Sequence, residues 1–318
     1  MAVLNQGVCR VALALIAFVL LACGSSEDGP RSGHQDALPS SGPLGVAVSN
    51  YPMKYFTERI GGDEVRVVYL VPAGEDPAFW TPSAEEVRQV QQAELVVLNG
   101  ATYEKWLPTV TLADSKLVDT SAGFRDRWLA IAGTPVHSHG PGGEHSHEGT
   151  DFNTWLDPLL AMQQGEAIRG ALAARRPAAA QEIQENFLAL ERDLQGLHEQ
   201  LEEATKQYGE EPLVASHPVY GYFARRYGLN VRSVLWEPDE MPSDEQWEEL
   251  RKLLAGHAAT VMLWEGEPLP EIEAGLNQMG VTSCPVIPGG NTPEEGDYLE
   301  VWKKNVERLA LARNRTGQ

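Results

Sequence analysis

IQENFLALERDLQGLHEQLEEATKQY, Ile183 to Tyr208, is the stretch on which the fold turns. Its apolar residues Ile183, Phe187, Leu190, Leu194, Leu197, Leu201, Ala204 and Tyr208 follow one another at steps of 4, 3, 4, 3, 4, 3 and 4, which aligns them on one face of a single helix. Such a seam is satisfied either by a second copy, as a coiled coil, or by two lobes of its own chain laid along it. The seam is short for an independent coiled coil and stands where the flanking pattern restarts, so it reads as a stiff linker helix within a monomer.

On both sides of the seam the chain alternates short apolar runs with amphipathic stretches. GVAVS, VRVVYLV, ELVVLNG and KLVDTS come before it, and PLVAS, VRSVLW, TVMLWE and CPVIP after it, each followed by helical or looser sequence. Strands alternating with helices imply parallel sheets covered by helices. The expected fold class is therefore α/β: two lobes, residues 44–176 and 209–318, joined by a rigid linker helix over 177–208, with a ligand cleft between the lobes.

The first 22 residues do not belong to that fold. A single Arg10 precedes the apolar run Val11 to Ala22, too short to span a bilayer comfortably, and Leu20-Leu21-Ala22-Cys23 matches a bacterial lipobox. Residues 1–22 read as a signal peptide, Cys23 as a lipid anchor to the membrane, and residues 23–43, rich in Gly, Ser, Pro and acids, as a disordered tether. The chain is expected to be an extracytoplasmic lipoprotein, in the periplasm or at the cell surface.

Loss of Arg10 takes the formal charge from -20 to -21, which excludes nucleic acid as a natural partner. With Cys9 and Cys23 assigned to the leader and anchor, Cys284 is the one cysteine left, so stability rests on the core rather than on a disulfide. Cys284 itself reads as a core thiol, and Trp80, Trp155, Trp236 and Trp264 mostly as packing residues near strand ends. No HExxH or GxSxG pattern is present, and the chain reads as a binding protein rather than an enzyme.

The segments YFTERIGGDEVRVVYLVPAGEDP, AELVVLNGATYEKWL, WLDP, SHPVYGYFARRYGL and YLEVWKKNVERLALA resemble the receptors that deliver zinc or manganese to bacterial ABC importers. That resemblance implies a zinc-type receptor with Zn2+ as its ion, Mn2+ or another divalent cation being the alternative, and an importer permease as its partner. It also implies four ligands, three commonly histidine and one acidic. The family's first histidine falls on Ala78 in Asp76-Pro77-Ala78, the second on Asn153, the third on His217 and the late aspartate on Ile287. One of the four positions is matched. Asp76, Asp151, Asn153 and Glu265 are the nearby oxygen donors that would complete a site around His217, and a shell so composed favours harder cations.

Between the first lobe's strands and WLDP lies HSHGPGGEHSHE. His137, His139, His145 and His147 sit in an HxH, five residues, HxH arrangement that lets a loop over 137–148 wrap four imidazoles round one ion. By resemblance such a loop points to zinc capture ahead of the cleft. Two alternatives remain open: a paralogue whose cleft takes another cation, a metal chelate or a small organic ligand, and a metal-buffering lipoprotein without a transporter.

Overall fold

The computed structural model describes residues 42–131 and 149–316, and between them the backbone of His137–Ser138 and Glu144–His145. Cys23 and the 23–43 tether lie outside the described residues, apart from positions 42 and 43.

Four parallel strands, β1 (Leu44–Val48), β2 (Val65–Val68), β3 (Leu95–Leu98) and β4 (Leu117–Asp119), form the first sheet in the order β2-β1-β3-β4, with Val46 paired to both Val67 and Leu95. β1 and β3 are buried along their whole length, as runs of Leu and Val covered on both faces should be. Helix α1 (Tyr51–Gly61) starts where the Asn50 side chain accepts from Met53 N at 3.0 Å. Helix α2 (Ala84–Gln92) starts at a capping box in which Ser83 and Glu86 satisfy each other's backbone N–H.

A hairpin stem follows, β5 (Leu129–Ile131) paired antiparallel with β8 (Gly149–Asp151). The histidine loop closes it, and within the loop β6 (His137–Ser138) pairs with β7 (Glu144–His145). Helix α3 (Pro158–Arg175) then begins at Asp157, whose carboxylate accepts from Leu159 N at 3.0 Å ahead of the proline.

Helix α4 (Ala180–Lys206) is the predicted linker, and the whole seam from Ile183 to Ala204 is buried. It packs on α1 and α3 of the first lobe and on α8 (Tyr298–Thr316) of the second, so the seam is filled from within the chain. Each such leucine contributes about 1.5–3 kcal/mol of burial, and one apolar core runs continuously from Val46 through Leu194 to Leu263.

The second sheet has β9 (Pro212–Ala215), β10 (Asn230–Ser233), β11 (Val261–Trp264) and β12 (Thr282–Pro285) in the order β10-β9-β11-β12, all parallel, so each lobe repeats the same topology. Helices α5 (Gly221–Tyr227), α6 (Asp244–Gly256) and α7 (Pro270–Gln278) cross between these strands. Residues just past β12 reach the first lobe: Tyr51 N donates to Gly290 O at 3.0 Å, Trp155 Nε1 to Pro288 O at 2.8 Å, and Asn291 Nδ2 to Pro72 O and Glu75 O at 2.7 and 2.8 Å. The carboxyl edges of the two sheets therefore face each other. An ion pair adds to this junction, with Arg226 on α5 gripping the fully buried Asp157 through Nε and Nη2, each at 2.7 Å. Among the described residues, no helix is long and apolar enough to cross a membrane.

Candidate metal centre

Loops at the carboxyl ends of parallel strands are where such sheets bind ligands. In the second lobe His217 follows β9, Glu237 follows β10 and Glu265 follows β11 directly. Because β9 lies between β10 and β11, the three side chains emerge next to one another. The ladder continues past the strands to carry them: Ser216 N donates to Leu263 O, Val234 N to Ala215 O and Trp236 N to Ser216 O, each at 2.9 Å. Behind the carboxylates the two loops are in contact. A side chain on Gly266 would bring a Cβ to 2.8 Å from Pro238 Cγ, and Leu269 N donates to Pro238 O at 2.9 Å. Only glycine allows that approach without displacing Pro238.

His217 is 1% exposed. Its Nδ1 stands 3.0 Å from Glu265 Oε1 and 3.1 Å from the Trp236 carbonyl oxygen, and its Nε2 stands 3.6 Å from Glu237 Oε1. One ligand atom from each of His217, Glu237 and Glu265 lies within 4.8 Å of the other two, and this is the one group of three metal-ligating side chains among the described residues. Burial works against a charged imidazole. The hydrogen bond and charge of Glu265, the charge of Glu237 and the Trp236 carbonyl outweigh it and raise the His217 pKa above 6.5. One imidazole and two carboxylates form a nitrogen and oxygen donor set suited to a divalent cation, whose charge the carboxylates balance.

Of the residues singled out from sequence, the structure brings His217 and Glu265 together. Glu237 was not among them. Its one sequence signal is its place just beyond an apolar strand in VRSVLWEP, where it reads as one more acid in an acid-rich chain. The neighbouring Glu267 pairs with Arg308 on α8.

Asp76 and Asp151 stand outside this group, and the Asn153 amide is bonded to Asp151. Asp76 Oδ1 accepts from Ala78 N at 2.9 Å, and Ala78 is fully buried in the core. Asp151, named from the sequence as an oxygen donor for the site, is 2% exposed, and its Oδ1 accepts from both Asn153 N and Asn153 Nδ2 at 2.9 and 3.1 Å. Desolvation pushes the Asp151 carboxyl up to about 7 against those hydrogen bonds. It is buried because the β5–β8 stem docks on α5. A Cβ on Gly221 would fall 2.3 Å from Asp151 Oδ2, Leu129 N donates to Tyr222 Oη at 3.2 Å, and Arg225 Nη1 donates to Arg127 O at 2.6 Å.

Glu104 has a similar role after β3. Its buried carboxyl, also raised to about 7 by desolvation, accepts from Asn99 N at 2.7 Å beside the left-handed residues Ala101 and Thr102. At the family's late acidic position, the Ile287 backbone exchanges hydrogen bonds with the Asn305 side chain at 3.0 and 2.8 Å. The side chains of His137, His139, His145 and His147 lie outside the described residues. Trp80, Trp155, Trp236 and Trp264 are buried packing residues, and burial raises the Cys284 thiol to about 12, as a core position should.

The chain is 27% identical over 315 residues to zinc-binding lipoprotein AdcA of Streptococcus pneumoniae, an alignment that covers 96% of this chain and 60% of that protein. It thus spans about 60% of the length of that curated relative. It is 26% identical to the high-affinity zinc uptake system protein ZnuA of Bacillus subtilis, with 93% of this chain and 94% of that one aligned. Zn(II)-bound AdcA from Streptococcus pneumoniae superposes with a TM-score of 0.73 at 25% identity, over 86% of this chain and 58% of that one. A crystal structure of ZnuA gives 0.68 at 25%, over 85% and 99%. The family model of ZnuA, the periplasmic component A of zinc-uptake complexes, matches residues 46–312, and the chain belongs to that family.

Proposed function

We propose that this chain is an extracytoplasmic receptor that binds zinc at the His217 centre and presents it to the permease of an ABC importer, binding its cargo without transforming it. The observation that carries this reading is the His217, Glu237 and Glu265 group at the carboxyl edge of the second sheet, in a chain of the zinc-uptake family. Relatives named for zinc binding and zinc uptake support the choice of ion. The LLAC motif supports anchoring through Cys23, residues 23–43 then acting as a tether, and the internally filled α4 seam supports a monomer. His137, His139, His145 and His147 would act as a separate capture loop.

The test is zinc titration by calorimetry on the chain with those four histidines replaced by serine, with and without His217→Ala. One zinc per chain that is lost on removing His217 is the expected outcome. If the loop-substituted chain binds no zinc, the receptor reading falls. A second reading, a centre tuned to a harder cation, is favoured by Ala78, Asn153 and Ile287 at positions where the family places ligands. It predicts manganese affinity equal to or above that for zinc in the same titration.

A further inference from the structure

The receptor reading leaves open which atoms hold the ion, and the geometry around His217 points to a specific pair; this inference rests on that reading. The two ring nitrogens have different neighbours. Nδ1 faces two acceptors, Glu265 Oε1 at 3.0 Å and the Trp236 carbonyl at 3.1 Å, and so carries the ring proton. In the neutral ring, the form that ligates a metal, Nε2 then carries the lone pair, and it faces Glu237 Oε1 at 3.6 Å. That separation is too long for a hydrogen bond. It is close to the spacing of two donors sharing one tetrahedral ion, which is about 3.4 Å for bonds of about 2.0–2.2 Å.

We propose that Glu237 is a direct ligand. The ion is held between His217 Nε2 and Glu237 by the second lobe alone, and Glu265 is a positioning residue that fixes the imidazole from behind through Nδ1. An imidazole gripped at one nitrogen by a carboxylate and offering the other to a metal is a stable division of roles. The sheet order supplies the rest: β10 and β9 are hydrogen-bonded neighbours, and the Trp236 N to Ser216 O bond at 2.9 Å holds Glu237 level with His217. The packing of Gly266 against Pro238 keeps the Glu237 loop from swinging away.

Among the described residues the first lobe offers no equivalent group: Ala78 is buried and the carboxylates of Asp76 and Asp151 are engaged by backbone N–H groups. Two protein donors, one nitrogen and one carboxylate, leave the remaining coordination to water. The class of cargo is a divalent transition ion that accepts an oxygen-rich shell, and discrimination of zinc over manganese is weaker than a histidine-rich site would give.

The experiment uses the full chain with the four loop histidines replaced by serine. Cobalt(II) absorption reports the donor set, and competition with zinc and manganese reports affinity. Glu237→Gln should weaken binding at least about 100-fold and change the cobalt spectrum. Glu265→Gln, which keeps an acceptor for Nδ1–H, should weaken it less than about 10-fold, and Glu265→Ala by about 10- to 100-fold. Glu237→His, which places another donor at the same point, should retain binding and shift preference toward zinc; a merely structural role for Glu237 would show no such rescue. Affinity unchanged in Glu237→Gln but abolished in His217→Ala would overturn the ligand assignment and leave the receptor reading standing. Affinity unchanged in both would remove the two together.

Discussion

The two sheets share one topology, and their carboxyl edges have opposite chemistry. At the first edge the carboxylates are tied to backbone N–H groups: exposed Asp76 to Ala78, and buried Glu104 and Asp151 to Asn99 and Asn153. At the second edge the carboxylates of Glu237 and Glu265 converge on one imidazole. Carboxyl groups at the first edge have become supports for loops, whereas those at the second remain aimed at a common point. Topology provides the place for a site, and the side chains decide whether one exists.

The largest expected effect tests the second edge. His217→Ala in the loop-substituted chain should lower zinc affinity at least about 100-fold and abolish the zinc-induced rise in melting temperature. Retention of that rise would mean that the edges are alike after all. Arg226→Ala should cost about 2–4 kcal/mol in urea denaturation, because it leaves the fully buried Asp157 carboxylate without its cation. Arg226→Lys, which keeps the charge without the fork, should fall between the two.

The first edge is tested by pH. The Asp151 carboxyl titrates near 7 in the folded chain and near 3.9 unfolded. Between about pH 4 and 7 the folded state therefore keeps a proton that the unfolded state has lost, and stability falls as pH rises through that window. Asp151→Asn cannot ionise. Relative to the parent it should gain about 2 kcal/mol on going from pH 5 to pH 8, and stability differences that stay constant with pH would count against a supporting role. The smallest effect sharpens the comparison from the family's side. Ala78→His should lower stability by about 1–2 kcal/mol through overpacking at a fully buried position, with no gain in zinc affinity on calorimetry.

The α/β alternation and the seam from Ile183 to Tyr208 make the fold legible, since periods of 2 and 3.6 and their order along the chain are sequence properties. His217 is legible because it follows an apolar strand in a recognisable segment, and Glu265 because it follows another. Glu237 is not, because its value depends on β10 lying beside β9, and strand adjacency has no local signature. The burial of Asp151, named from the sequence as an oxygen donor, is illegible for a related reason. Its burial comes from the docking of the hairpin stem on α5, a contact between residues 70 positions apart.

The α4 seam carries a consequence for how such a chain can change over time. Its leucines are filled by both lobes and belong to one apolar core. Neither half can be excised, duplicated or exchanged for a foreign counterpart without exposing a stripe of leucines. The lobes look like modules, but their shared core makes them one folding unit, in which a change of cargo preference is least disruptive at the strand ends, away from the seam.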